Sequence, residues 1–179
     1  MKFKMRTITF LFLAILSFMG CNGCGEKKNI TDLDIQREQQ KLIKETKKAH
    51  EEEMKAIGKF VEERKWPMQV TNTGLHYWIF APGNGQVPKP ENRVAISYTI
   101  TLLDGTECYS TPDENPKEFV VEQDNVETGL HEAIQLMHTG DRAKFILPSH
   151  LAFGLTGDSG KIPPNASVLY DIHLIAIQQ

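Results

Sequence analysis

The stretch Phe145-Ile146-Leu147-Pro148-Ser149-His150-Leu151-Ala152-Phe153-Gly154-Leu155-Thr156-Gly157-Asp158-Ser159-Gly160-Lys161-Ile162-Pro163-Pro164-Asn165-Ala166-Ser167-Val168-Leu169-Tyr170-Asp171-Ile172 decides the reading of this chain. Two strand-like runs bracket it, Phe145 to Leu147 and Ser167 to Ile177, with a long loop between. Glycines let the loop turn, and Pro163-Pro164 stiffens its exit by fixing φ. Leu151, Phe153, Leu155 and Ile162 punctuate it. Apolar residues on such a loop either tuck beneath it as local core or line a pocket. The residues alone leave both readings open.

Upstream of this stretch the same strand logic recurs. Leu75 to Phe80 is strand-like and is followed by the turn Pro82-Gly83-Asn84-Gly85. Val94, Ile96, Tyr98 and Ile100 alternate onto one face of a second strand. Asp104-Gly105 is a hairpin-type turn, after which Glu107 to Thr111 returns, and Glu118 to Val121 is a further short strand. Gly129 to Met137 reads as one helix with Leu130, Ile134 and Met137 on one side. Arg142 to Leu147 and Ser167 to Ile177 complete the sheet. Many strands around one short helix is an α+β pattern.

Several separated segments, in order and with compatible spacing, resemble the FKBP-type peptidyl-prolyl cis/trans isomerases. They are Gly74-Leu75, Gly83 and Gly85, Tyr98, Asp104-Gly105, Gly129-Leu130, Gln135-Leu136-Met137, Gly140 to Lys144, Pro148 to Gly154, Ile162 to Ala166 and Leu169 to Ile172. The resemblance covers residues 71–179. It implies a curved antiparallel sheet wrapped around a short helix, a pocket for proline, and isomerase activity on proline-containing polypeptides without cofactor or metal. Such chemistry needs neither. Twisting an ordinary peptide bond costs ~18–20 kcal/mol, and X-Pro bonds take roughly tens to hundreds of seconds to isomerise. An apolar pocket that favours the twisted bond over the planar one suffices.

By position the resemblance assigns catalytic pocket roles to Tyr98, Val126, Leu130, Phe153, Ile162 and Tyr170, and substrate contacts to Cys108, Tyr109 and Glu127. Buried aromatics on strands also serve simply as core, so each position has that alternative. Three places depart from the family. Cys108 and Tyr109 stand where it has Phe and then Asp, unless a one-residue bulge moves Tyr109 into the aromatic place and Ser110 into the polar one. Phe153 replaces a Tyr whose hydroxyl donates to ligand. Glu127 brings a charge to a position that is otherwise aliphatic. A lost donor costs ~1–3 kcal/mol, which implies weakened rather than abolished catalysis. An alternative reading is therefore a weak or inactive FKBP-fold chaperone in an envelope assembly. A looser resemblance points to the gliding-motility-associated FKBP-like lipoproteins of Bacteroidetes.

Charge is uneven along the 179 residues. The formal net charge is −3, residues 26–65 hold 11 Lys/Arg against 10 Asp/Glu, and residues 66–179 hold 6 against 13. An acidic globular part argues against nucleic acid as a partner, since phosphate binding needs a basic surface. The five histidines of the globular part, His76, His131, His138, His150 and His173, are scattered and read as surface or satisfied. Asp141-Arg142 reads as a turn and ion pair, so no metal site is expected.

The N-terminus reads as an address. Lys2, Lys4 and Arg6 precede an apolar run from Ile8 to Met19, of a length suited to a secretory signal rather than a spanning helix. The run ends at Gly20-Cys21, which resembles the bacterial lipoprotein signal and implies lipidation of Cys21, hence a membrane anchor. Ordinary signal cleavage with a free Cys21 is the alternative. Asn22, rather than Asp, favours the outer membrane, facing the periplasm. Residues 1–20 are thus the signal, 21–30 a tether, 31–66 a charged helical arm and 67–179 the FKBP-like domain. Thr31 caps the arm, Asp32 and Asp34 suit its positive end, and Trp66-Pro67 stops it. The arm reads first as a spacer; a homodimer through residues 31–66, or a helix folded back on its own domain, are the other readings.

Overall fold

A computed structural model describes residues 32–178. Helix α1 runs Asp32–Arg64 and is followed by strands β1 (Gln69–Val70), β2 (His76–Ala81), β3 (Arg93–Leu102), β4 (Glu107–Thr111) and β5 (Lys117–Val120). Helix α2 (Thr128–Gln135), β6 (Arg142–Leu147), a short 3-10 turn (Ser149–Leu151) and β7 (Val168–Gln178) complete it. The signal, the tether and Cys21 lie outside the described residues. Among the described residues, no helix is long and apolar enough to cross a membrane.

Among the described residues, seven strands pair antiparallel in the order β1-β2-β6-β7-β3-β4, with β5 paired to β3. The expected strands are all present; β1, a two-residue strand, is an addition. The long β3–β7 pairing runs from Arg93↔Gln178 to Leu102↔Val168 and forms the spine. Alternation puts Val94, Ile96 and Ile100 of β3, Phe145 and Leu147 of β6, and Val168, Tyr170, Ile172 and Leu174 of β7 into one core with Leu130, Ala133, Ile134 and Met137. The close seating of α2 depends on Gly129. A Cβ there would stand 2.8 Å from both Leu147 Cδ2 and the Leu151 carbonyl oxygen.

Of the described residues, 32–43 fall in one unit and 44–178 in another. Within the second unit, the last turns of α1 cover the other face of the sheet. Ile57 and Phe60 are buried there with Ile146, flanked by Met54, Val61, Trp66 and Leu169. Glu53 fastens this packing. Its carboxylate accepts from the Ser149 amide at 2.6 Å, the Ser149 hydroxyl at 3.1 Å and the Ser167 hydroxyl at 2.6 Å. The described first unit, Asp32 to Ile43, is exposed along its length.

Asp141 is 1% exposed. It accepts the amides of Gly83 and His138, so it ties the turn before β6 to the loop after β2. Arg142 pairs instead with Asp113 at 2.9 Å. Asp113 also accepts from the buried Ser97 hydroxyl and lies 3.2 Å from His173 Nδ1. These partners, the Ser97 hydroxyl foremost, hold its carboxyl down at about 2.

Candidate active site

Tyr98 on β3 and Tyr170 on β7 are brought together by the register, because Tyr98 pairs with Ile172 and Ile100 with Tyr170. Their ring centroids are 5.8 Å apart at an angle of 50°. Tyr170 is 2% exposed and Tyr98 half-buried. Leu130, from the first turn of α2, and Ile162, from the loop before β7, are buried in the same apolar cluster. Val126 and Phe153 pack against that cluster from the loop before α2 and the loop after β6. The six residues expected to form the pocket thus meet at one apolar cluster, from β3, the start of α2, the β6–β7 loop and β7.

Glu127 adds a charge to this apolar setting. It is the N-cap residue of α2, with extended backbone (φ −59°, ψ 138°) and no capping bond from its own side chain. Its carboxylate lies within electrostatic reach of the Tyr170 hydroxyl. Burial first, and then the Glu127 charge, push that hydroxyl well above its ordinary range. Tyr98 is also shifted up, by burial first and the Glu127 charge second. Both tyrosines therefore stay protonated at neutral pH, and Tyr98, the half-buried one, keeps a hydroxyl that reaches the surface. A cleft of about 270 Å³ opens at Val126, Glu127 and Phe153, completed by Ala152, Asn125 and Lys117. Lys117 opens β5, two residues before the core residue Phe119. Sequence reasoning overlooked it, since an exposed Lys at a strand start carries no signal by itself.

The β4 edge answers the question the sequence left open. Ile100 pairs with Tyr109 and Thr101 with Glu107, so Cys108 is the extra residue of a bulge. Cys108 is 1% exposed, with its Sγ 3.8 Å from the carbonyl oxygens of Thr106 and Lys161. Burial pushes its thiol up. It supports the loop from beneath and has almost no surface to offer a substrate. Tyr109 faces outward to the same loop and donates its hydroxyl to Asp158. Asp158 also accepts from the amides of Gly160 and Ile162, each at 2.8 Å. The Tyr109 hydroxyl foremost, and then these amides, hold the Asp158 carboxyl down at about 2. Gly157 completes the turn at φ +67°, where an added Cβ would meet the Ile162 carbonyl oxygen at 2.3 Å. Asp158 was not anticipated; an Asp among glycines in a loop reads as an ordinary turn residue.

The comparisons with known proteins agree with this architecture. Residues 85–175 match the family model described as FKBP-type peptidyl-prolyl cis-trans isomerase. The chain is 36% identical over 169 residues to an FKBP-type peptidyl-prolyl cis-trans isomerase FkpA of Aeromonas hydrophila, covering 88% of this chain and 62% of that protein. It is 36% identical over 135 residues to the outer membrane protein MIP of Legionella longbeachae, covering 74% of this chain and 57% of that one. The chain therefore spans about three fifths of the length of these two relatives. Among solved structures, a peptidyl-prolyl cis-trans isomerase from Pseudomonas syringae superposes with a TM-score of 0.62 at 30% identity, covering 72% of this chain and 96% of that one. The chain belongs to the FKBP-type peptidyl-prolyl cis-trans isomerase family.

Proposed function

We propose that the protein isomerises X-Pro bonds in exported polypeptides from a lipid anchor at Cys21 in the cell envelope. The observation that carries the reading is the Tyr98–Tyr170 pair set in an apolar cluster with Leu130 and Ile162. A proline ring enters such a site at low desolvation cost. The dry surroundings favour the twisted amide, whose charge separation is reduced, over the planar one. No step needs a nucleophile. Val126 and Phe153 flank the ring, while Glu127 and Lys117 meet the residues beside the proline. The name of the Legionella longbeachae relative, an outer membrane protein, supports the envelope reading. An NMR exchange assay on a Phe-Pro or Leu-Pro peptide tests activity. The expected result is acceleration of cis/trans exchange by the purified protein, and a folded protein giving none overturns it.

A second reading is favoured by Glu127. Its carboxylate engages the Tyr170 hydroxyl within the pocket that the family keeps apolar. On that reading the protein is a catalytically weak chaperone or binding module in an envelope assembly of the gliding or secretion type. Suppression of aggregation of an unfolded client that survives Tyr98→Ala supports this alternative, and its loss with Tyr98→Ala supports the isomerase pocket.

A further inference from the structure

Away from the proline pocket, three metal-ligating side chains meet where α1 packs beside the 3-10 turn. His50 and Glu53 are three residues apart on α1, hence on one helix face. His150 comes from the 3-10 turn a hundred residues later. One ligating atom from each of the three lies within 4.8 Å of the others. The two imidazole rings stand edge to face with centroids 5.6 Å apart. A surface cleft of about 480 Å³ opens over them, and its lining holds Glu45 and Glu53 but no Lys or Arg.

We propose that His50, Glu53 and His150 bind one divalent transition-metal ion of the zinc class, which clips the 44–64 part of α1 to the loop after β6. Two imidazoles and a carboxylate are a donor set suited to such ions, with a position left for water. Bonds of about 2.0–2.2 Å in a tetrahedral shell set the ligand atoms roughly 3.4 Å apart, so side-chain rotations of about an ångström close the site.

The surrounding groups are those that orient metal ligands. His150 Nε2 lies 3.1 Å from the Thr73 carbonyl oxygen, which places the proton on Nε2 and leaves the Nδ1 lone pair as the donor. The Glu53 side chain is only 14% exposed. Its Oε1 takes two hydrogen bonds, from the Ser149 amide and the Ser167 hydroxyl, while Oε2 takes one longer bond from the Ser149 hydroxyl. Those bonds alone fasten the helix. They do not account for the two imidazoles, since His50 Nδ1 stands 4.0 Å from Glu53 Oε2, beyond hydrogen-bond reach.

The test uses the untagged chain carrying Cys21→Ser and Cys24→Ser, which removes the two N-terminal thiols as competing zinc ligands, with His50→Ala and His150→Ala made separately in it. Zinc chloride is titrated by calorimetry, and bound zinc is counted after gel filtration. The expected result is one zinc per chain at micromolar affinity or tighter, weakened at least tenfold in each variant, with a zinc-dependent rise in melting temperature that both variants lose. Equal zinc uptake by parent and variants, or no uptake up to about 1 mM, overturns the proposal. Isomerase activity is read in parallel without zinc and bears on the pocket alone, since none of the three residues belongs to it.

Discussion

The Tyr109 hydroxyl donates to the carboxylate of Asp158, which joins the edge strand β4 to the loop that carries Ile162. This bond occupies the aromatic side chain that the bulge at Cys108 delivers to the site edge. It holds Tyr109 against the loop, where Lys161 Nζ stands 5.4 Å from the ring centroid. Replacing Tyr109 by Phe keeps the ring and removes the bond. Amide exchange at Gly160 and Ile162 should then quicken by about tenfold, while strand amides of β3 and β7 keep their protection. Equal exchange in Tyr109→Phe and parent would show that the bond does not order the loop.

The same carboxylate sets an acid limb. The folded-state value of Asp158 is about 2, below its ordinary 3.8, as is that of Asp113. A depressed carboxylate contributes stability that is fully present above its unfolded value and is lost as pH falls through its folded one. Stability should be insensitive to these two groups above about pH 5 and fall between roughly pH 4 and pH 2. Melting temperature against pH checks this. Asp158→Asn should flatten the acid limb, and an unchanged limb in both Asp158→Asn and Asp113→Asn would assign it to other groups.

Asp141 is a buried acceptor with two backbone donors, from Gly83 and His138. Asp141→Ala strands both amides and should destabilise by roughly 1–3 kcal/mol. Gly129→Ala should cost about the same by overpacking, because the added methyl meets Leu147 and the Leu151 carbonyl. Urea unfolding measures both. A change under about 0.5 kcal/mol, the range of ordinary surface substitutions, in either variant contradicts its stated cause.

Glu127 tunes the pocket. Glu127→Ile removes the charge beside Tyr98 and Tyr170. It should raise kcat/KM on a Leu-Pro peptide by roughly three- to tenfold, or about 0.7–1.4 kcal/mol of barrier. A Lys-Pro peptide should gain less, since the carboxylate attracts its ammonium. Tyrosinate absorbance should show Tyr98 titrating at lower pH in the variant, because a negative neighbour holds the phenol protonated. Lower activity on Leu-Pro would mean that Glu127 assists catalysis.

The sheet and α2 were legible because their patterns are local. Alternation marks β3 and β7, and Asp104-Gly105 marks the hairpin. The pocket residues came through family resemblance, and the structure brings all six together. Contacts set by distant segments were not legible. The last turns of α1 carry Met54, Ile57 and Val61 at helical spacing and read as amphipathic, but the charged middle around Lys47 and His50 breaks the stripe, so the pattern did not say which surface that face covers. The Glu53 bonds to Ser149 and Ser167 span 96 and 114 residues. The bulge at Cys108 was conceivable from the departure in residue type, but its direction depends on how Tyr109 finds Asp158, 49 residues away.

The most direct test of the proline pocket is the rate of cis/trans exchange of a Phe-Pro peptide, by NMR, with parent protein and with Tyr98→Ala at matched folded concentration. Acceleration by the parent is expected, with at least a tenfold lower kcat/KM in the variant and both proteins cooperatively folded. Exchange that is equally fast with both would place the activity outside the Tyr98–Tyr170 cluster and overturn the proline pocket proposed there.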